Sequence, residues 1–195
     1  MVKLERPASA VQWARVFIHP SLVDGAVAVD ATAGNGHDTL FLAENVGPGG
    51  KVYALDIQEE ALRAAMKRLD AAGVCERVFF LQRGHEEMGS IIDRPVDAVM
   101  FNLGYLPGGD KTVATKPGTT IAGLTAAMKL LRPGGRMSVV AYTGHAGARE
   151  EAGAVGRLLS GVEEKNFHVQ KMVFWNSCKD SPELYFVTRT GDNNE

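Results

Sequence analysis

The feature that most constrains this chain is an alternation. Short, nearly unbroken apolar runs are each followed by a longer segment whose apolar residues recur at helical spacing. The runs span residues 27–30, 51–56, 78–82, 96–102 and 136–141. A strand wetted on one side alternates polar with apolar residues, so runs apolar at almost every position need cover on both faces. A parallel sheet between two helical layers provides that cover. Residues 38–44, 59–72, 119–131 and 148–159 have the pattern of the covering helices, with Leu62, Met66 and Leu69 marking one inward stripe. Gly73 and the Arg132-Pro-Gly-Gly135 turn supply stops.

The rhythm changes in the last third, where 167–175 and 183–190 are β-rich and separated by a polar segment at 176–182 without a helix. Such a pair predicts a C-terminal antiparallel hairpin. The expected fold is therefore α/β: one Rossmann-like, doubly wound domain on a seven-stranded, mostly parallel sheet. Residues 1–24 read as an N-terminal helix and connector, and 25–195 as the main domain, the whole forming one compact unit. The length of 195 residues and a 45 % hydrophobic composition suit a single core. With 21 basic and 23 acidic side chains the net charge is −2, which excludes a polycation but leaves room for a local basic face. Cys75 and Cys178 form no metal or disulfide pattern, and the apolar stretch at 10–18 is broken by Gln12 and Arg15. A cytoplasmic location is expected, with no membrane partner and no metal.

In an open parallel sheet, ligands sit beyond the carboxyl ends of the strands, where the strand order reverses. The loop after the first run is Asp30-Ala-Thr-Ala-Gly34-Asn-Gly36-His-Asp38-Thr39. Its glycines allow a sharp turn and a close backbone approach to a ligand. Asp38 or Thr39 serves equally well as a helix cap. Asp56 ends the second run twenty residues after Gly36, where a carboxylate can accept both hydroxyls of a ribose, the alternative being a cap for the next helix. A dinucleotide fingerprint requires glycine at the position held by Thr39, which argues against pyrophosphate. S-adenosylmethionine carries no phosphate, and Asp30, Thr32, Asn35 and Asp38 suit its charged methionine end. Gln82, Gly84 and His85 are placed to flank its adenine, although His85 fits equally a surface or capping role.

The fourth run leads directly into Asn102-Leu-Gly-Tyr105-Leu-Pro-Gly-Gly-Asp110-Lys111. An amide at a strand tip can accept a hydrogen bond from a substrate amine while the carbonyls of Leu103 and Gly104 accept another, aiming the nitrogen lone pair. Tyr105 is suited to stack on a base or wall the pocket, and a β-turn with a core tyrosine is the alternative.

The first loop, Leu-Asp-Ile-Gln at 55–58, Phe-Asn-Leu-Gly-Tyr-Leu-Pro-Gly-Gly-Asp-Lys at 101–111 and Tyr142-Thr-Gly-His145 together resemble the YtqB-like family over roughly residues 10–190. That family has been labelled as rRNA methylases, and some members methylate the aminomethyl group of a wobble 5-aminomethyl-uridine in tRNA. The resemblance implies a class I methyltransferase fold. It also implies S-adenosylmethionine held by Asp30, Gly34, Asn35, Gly36, Asp38, Asp56, Ile57, Gln58 and His85, with Thr32, Thr39 and Gln82 in the same shell. Asn102, Gly104 and Tyr105 would border the transfer site. The asparagine motif is similar to the Asn-Pro-Pro-Tyr box of amino-group methyltransferases, with Leu-Gly replacing Pro-Pro. Thr143 and Ser181 stand where proline is usual.

Water or His145 is the expected proton acceptor for an amine substrate. Between residues 111 and 149 there are six basic residues, His145 and no Asp or Glu. Lys111, Lys116, Tyr142 and Arg149 are the candidate RNA contacts; a solvated face whose charges share a sign is the alternative. The expected partner is tRNA, with rRNA or a small molecule as alternative substrates, and a homodimer is one option for the assembled state. A dehydrogenase and a silent RNA-binding module are the competing classes. Thr39 argues against the first, and the intact Asn102-to-Tyr105 motif against the second.

Overall fold

The computed structural model describes residues 9–110, 112–144, 146–176 and 181–191. Lys111, His145 and Cys178, all singled out above, lie outside them. In chain order the elements are α1 (Ala10–Ile18), β1 (Val27–Asp30), α2 (His37–Asn45), β2 (Lys51–Asp56), α3 (Glu59–Ala72), β3 (Val78–Gln82), α4 (Met88–Ile91) and β4 (Val96–Leu103). There follow α5 (Pro117–Leu130), β5 (Leu131–Ala141), α6 (Ala148–Ser160), β6 (Phe167–Met172) and β7 (Glu183–Arg189). The seven strands form one sheet in the order β3-β2-β1-β4-β5-β7-β6. β7 runs antiparallel to both of its neighbours, and the pairs among β1 to β5 are parallel.

Both faces are covered, as the apolar runs require. Leu124, Ala127, Ala152, Val155 and Leu159 of α5 and α6 pack on Val29, Leu55, Val99 and Phe101. On the opposite face Ala14, Ile18, Leu42 and Leu69 of α1 to α3, with Val46 just past α2, pack on Ala28, Val52, Ala98 and Met100. Side chains along β4 alternate between these two cores, so Asn102 continues the series of Ala98 and Met100 and emerges on the α1–α3 face at the strand tip.

Two element ends differ from expectation. Arg132-Pro-Gly-Gly135 was expected to precede the fifth strand, but it is absorbed into β5 as a register irregularity opposite Val96 and Ala98. Arg132 pairs there with Asp97, and that contact anchors the bulged segment to β4. β6 ends at Met172 rather than residue 175, leaving Trp175 94 % exposed. α1 begins with a reciprocal capping box between Ser9 and Gln12 and joins the core, where the Arg136 guanidinium lies 5.1 Å from the Phe17 ring centroid and donates to the Phe17 carbonyl.

Candidate active site

A cavity of about 760 Å³ opens beyond the carboxyl ends of β1, β2 and β4, at the point where strand order reverses. This volume falls in the range typical of small-molecule sites, roughly 300–1,000 Å³. The β1–α2 loop forms one wall. Asp56, half-buried at the tip of β2, accepts hydrogen bonds from the Gly34 N–H at 2.9 Å and the Gln58 N–H at 2.9 Å. Each carboxylate oxygen keeps a further lone pair for a ligand hydroxyl. Ile57, 57 % exposed, adds an apolar ledge beside it.

Four of the loop amides are engaged within the protein. Thr32 N–H donates to Asp30, Ala33 N–H to the Leu55 carbonyl, Gly34 N–H to Asp56 and Gly36 N–H to the Ala33 carbonyl. These four N–H groups are therefore not presented to a ligand. Thr39 itself is fully buried, its hydroxyl donating to Asp30 Oδ2 at 2.6 Å.

The sequence-selected residues fall into three groups. Thr32, Gly34, Asn35, Asp38, Asp56, Ile57, Gln58, His85, Asn102, Gly104 and Tyr105 line the cavity, joined by Lys116 and Tyr142. Asp30, Gly36, Thr39 and Gln82 do not. Asp30 and Thr39 lie beneath the loop as its support. Gly36 (φ +77°) is the N-cap of α2, where an added Cβ would meet Ala65 Cα of α3 at 2.6 Å; it serves helix packing rather than ligand approach. Gln82 is exposed, reaching only the Ile57 carbonyl at 3.4 Å. Arg149 lines a neighbouring groove between α6 and the β6–β7 pair.

His85 is neither a surface nor a capping residue. It is buried, packed edge-on against Phe101 with ring centroids 5.6 Å apart, and Gly123 of α5 leaves room for its ring. Burial pulls its pKa below the ordinary value and favours the neutral ring. Burial, followed by repulsion from Asp38, pushes Asp30 up to about 7. Asp38 is held by Arg15, whose Nε donates to Oδ1 at 2.8 Å, and Arg15 also caps the His37 carbonyl.

Asn102 sits at the centre of the cavity wall. Its N–H donates to Thr32 Oγ1 at 2.8 Å, which ties β4 to the first loop. Its side-chain Oδ1 is buried and has no hydrogen-bond partner, as does Nε2 of His85. Buried polar atoms in folded proteins are overwhelmingly paired, so an unpaired acceptor in a cavity wall marks a place for a ligand donor. The Gly104 carbonyl, assigned above to a substrate amine, accepts the Thr115 N–H at 2.9 Å and keeps one further lone pair. The described residues 104–110 and 112–115 form a flap closed by a bridge between Tyr105 and Ala114.

The flap carries residues that the motif alone did not single out. Leu106 Cδ1 would stand 3.5 Å from a Cβ at Gly34, and the Pro107 carbonyl accepts from Asn35 Nδ2 at 3.2 Å, so the flap meets the first loop over the cavity. The acid-free stretch, by contrast, does not form one surface. Arg132 and Arg136 are bound to Asp97 and Phe17 on the body of the sheet, and Lys129 lies at the end of α5 away from the cavity. Among the described residues of that stretch, Lys116 and Arg149 remain near the open edge.

A family model described as "Putative rRNA methylase" matches residues 52–188. The chain is 41 % identical over 182 residues to the chloroplastic tRNA (mnm(5)s(2)U34)-methyltransferase of Arabidopsis thaliana, a match covering 87 % of this chain and 63 % of that protein. It thus spans less than two thirds of the plant relative's length. Among solved structures, a putative rRNA-methylase from Clostridium thermocellum superposes with a TM-score of 0.92 at 41 % identity, covering 94 % of this chain and 99 % of that one. A putative methyltransferase from Streptococcus mutans in complex with SAH superposes with a TM-score of 0.85 at 30 % identity, covering 97 % and 99 %.

Proposed function

The chain belongs to the putative rRNA methylase family, and on that premise we propose that it is an S-adenosylmethionine-dependent methyltransferase acting on the aminomethyl nitrogen of wobble 5-aminomethyl-(2-thio)uridine in tRNA. The observation that carries this proposal is the buried, unpaired Oδ1 of Asn102 at the tip of β4, between the donor loop and the flap. The plant relative's named activity supplies the substrate, and the Streptococcus complex with SAH supports the donor.

The cavity fits that donor. Asp56, at the tip of β2, offers its remaining lone pairs to ribose hydroxyls. Ile57 and the neutral His85 flank the space left for an aromatic base. Asp38 supplies negative charge near the first loop. When bound, S-adenosylmethionine supplies a sulfonium-activated methyl group for in-line displacement.

The protein's task is alignment, since effective in-line transfer depends on holding the nucleophile near its attack geometry. Asn102 Oδ1 accepts one N–H of the amine and points its lone pair along the transfer axis. Tyr105 and Leu106 of the flap wall the nucleobase and exclude water. A free alkylamine has a reference pKa of about 10.4, so it arrives protonated and must lose a proton before attack. Burial beside a cation lowers that pKa, and the proton passes to water or to His145. Lys116 contacts backbone phosphate at the rim.

The test is incubation of the full chain with labelled S-adenosylmethionine and undermodified total RNA, followed by nucleoside mass spectrometry of the separated RNA classes. Label in the wobble nucleoside of tRNA is the expected result. Label confined to ribosomal RNA overturns the substrate, and donor binding without transfer to any RNA overturns the activity.

A further inference from the structure

Glu151 is the most unusual charged group outside the donor loop. It lies in the first turn of α6, is 2 % exposed, and forms no ion pair among the described residues. Its carboxylate accepts two hydroxyl donors, Thr115 Oγ1 at 2.8 Å and Thr120 Oγ1 at 2.5 Å. Thr120 belongs to α5, whereas Thr115 closes the flap, its own N–H held by the Gly104 carbonyl. A carboxylate buried without a cation loses its hydration, and an apolar side chain of similar volume would often be no less stable. An apolar contact, however, cannot fix the direction of a hydroxyl. Glu151 orients two hydroxyls at once and so joins the starts of α5 and α6 to the base of the flap.

Several of the flap's bonds stay within it. The bridge between Tyr105 and Ala114, the Gly109 N–H to Leu106 carbonyl bond and the Thr112 bonds to Asp110 are all internal to it. On the donor-loop side, Asn35 Nδ2 binds the Pro107 carbonyl at an exposed 3.2 Å contact. On the other side the tether is the part-buried bond from Thr115 to Glu151. Tyr105 and Leu106 therefore hold their places in the cavity wall through the base of a hairpin that this carboxylate pins.

We propose that Glu151 is a positioning residue for methyl transfer, acting through Thr115 to hold the flap over the transfer site. It touches neither donor nor substrate. The proposal rests on the methyltransferase function advanced above, but its first test requires no substrate.

Four variants of the full chain separate tethering from general stability: Thr115→Val, Glu151→Leu, Glu151→Gln and Thr120→Val. Hydrogen–deuterium exchange of the flap amides, thermal unfolding, donor affinity by calorimetry and single-turnover transfer are measured on each. Thr115→Val and Glu151→Leu are expected to speed flap exchange and to slow transfer about 10- to 100-fold, the span of one charge-assisted hydrogen bond, with donor affinity within about threefold of wild type. Glu151→Gln, whose amide oxygen still accepts from one hydroxyl, should restore most of the rate. Thr120→Val should lower the melting temperature while leaving flap exchange and rate unchanged. Wild-type flap exchange in Thr115→Val overturns the proposal, as does a Thr120→Val variant slowed as much as Thr115→Val. If the wild-type chain methylates no RNA, the function fails while the exchange data still decide the tether.

Discussion

Replacing Asn102 by alanine separates a functional from a structural asparagine, because the two roles predict opposite effects on stability. The residue's backbone N–H bond to Thr32 survives the substitution, so only the side chain is tested. Its Oδ1 is buried and unpaired in the ligand-free protein, and a buried acceptor without a partner costs about 1–3 kcal/mol. Truncation removes that penalty while giving up about 1 kcal/mol of packing, on the order of one buried methylene. The expected change in unfolding free energy therefore runs from about zero to a gain of about 2 kcal/mol. Catalysis should move the other way. Loss of one hydrogen bond to a developing ammonium, about 1.5–3 kcal/mol, corresponds to roughly a 10- to 150-fold slower transfer step. Urea denaturation without ligand, followed by circular dichroism, gives the first quantity, and single-turnover transfer with saturating donor and RNA gives the second. A variant destabilised by more than about 2 kcal/mol would make Asn102 a structural residue, and an unchanged transfer rate would remove it from the reaction.

Three further expectations follow from the same geometry. Gly36→Ala combines a left-handed backbone penalty of about 1–2 kcal/mol with an overpacking cost of about 1–3 kcal/mol against Ala65, whereas Gly34→Ala (φ +49°, nearest atom 3.5 Å away) carries the first alone; denaturation curves that coincide would refute the packing role of Gly36. Asp30 keeps its proton to about pH 7 in the folded protein but loses it near 3.8 when unfolded, so its stabilising contribution is complete below about pH 4 and lost as pH rises to 7. The stability of Asp30→Asn relative to wild type should accordingly grow by up to about 4 kcal/mol across that window, and a pH-independent difference would contradict the buried-acid assignment. Lys116→Ala and Arg149→Ala should each flatten the plot of log RNA affinity against log salt by about one unit, and an unchanged slope would take that residue off the phosphate backbone.

Much of the fold was legible because its determinants are local. Helix α3 could be bounded from Leu62, Leu69 and the left-handed Gly73, since each acts within one or two helical turns. The donor loop was legible for a related reason: a parallel strand ending in Asp30, followed by two glycines, places a turn at the sheet edge whatever else surrounds it. What could not be read from spacing was which side of that turn a residue would face. Gly36 looked like a ligand-approach glycine and proved to be a helix-packing one, because its neighbour Ala65 comes from α3. Gln82, placed beside adenine from its position at a strand end, is exposed and reaches back to the Ile57 carbonyl. Glu151 left one visible trace, an acid on the inward stripe of α6 between Ala148 and Ala152, but the hydroxyls that receive it lie more than thirty residues away.

The charge pattern shows the same boundary. Sequence fixes how many acids and bases a segment carries, and the acid-free stretch at 111–149 is a fact of composition. Tertiary structure then divided it, committing Arg132 to Asp97 and Arg136 to Phe17 and placing Lys116 on the cavity wall and Arg149 in the neighbouring groove. On its own, the sequence determined a two-sided parallel sheet, a glycine-bearing turn after the first strand and an asparagine at the fourth strand tip, because apolar periodicity, glycine placement and strand termini are properties of neighbouring residues. The tertiary structure alone decided that β7 inserts between β5 and β6, that the Gly104 carbonyl accepts the Thr115 N–H, and that Asn102 is left with an unpaired acceptor. Those outcomes depend on which distant backbone and side-chain groups meet once the layers close, and no local pattern encodes such a meeting.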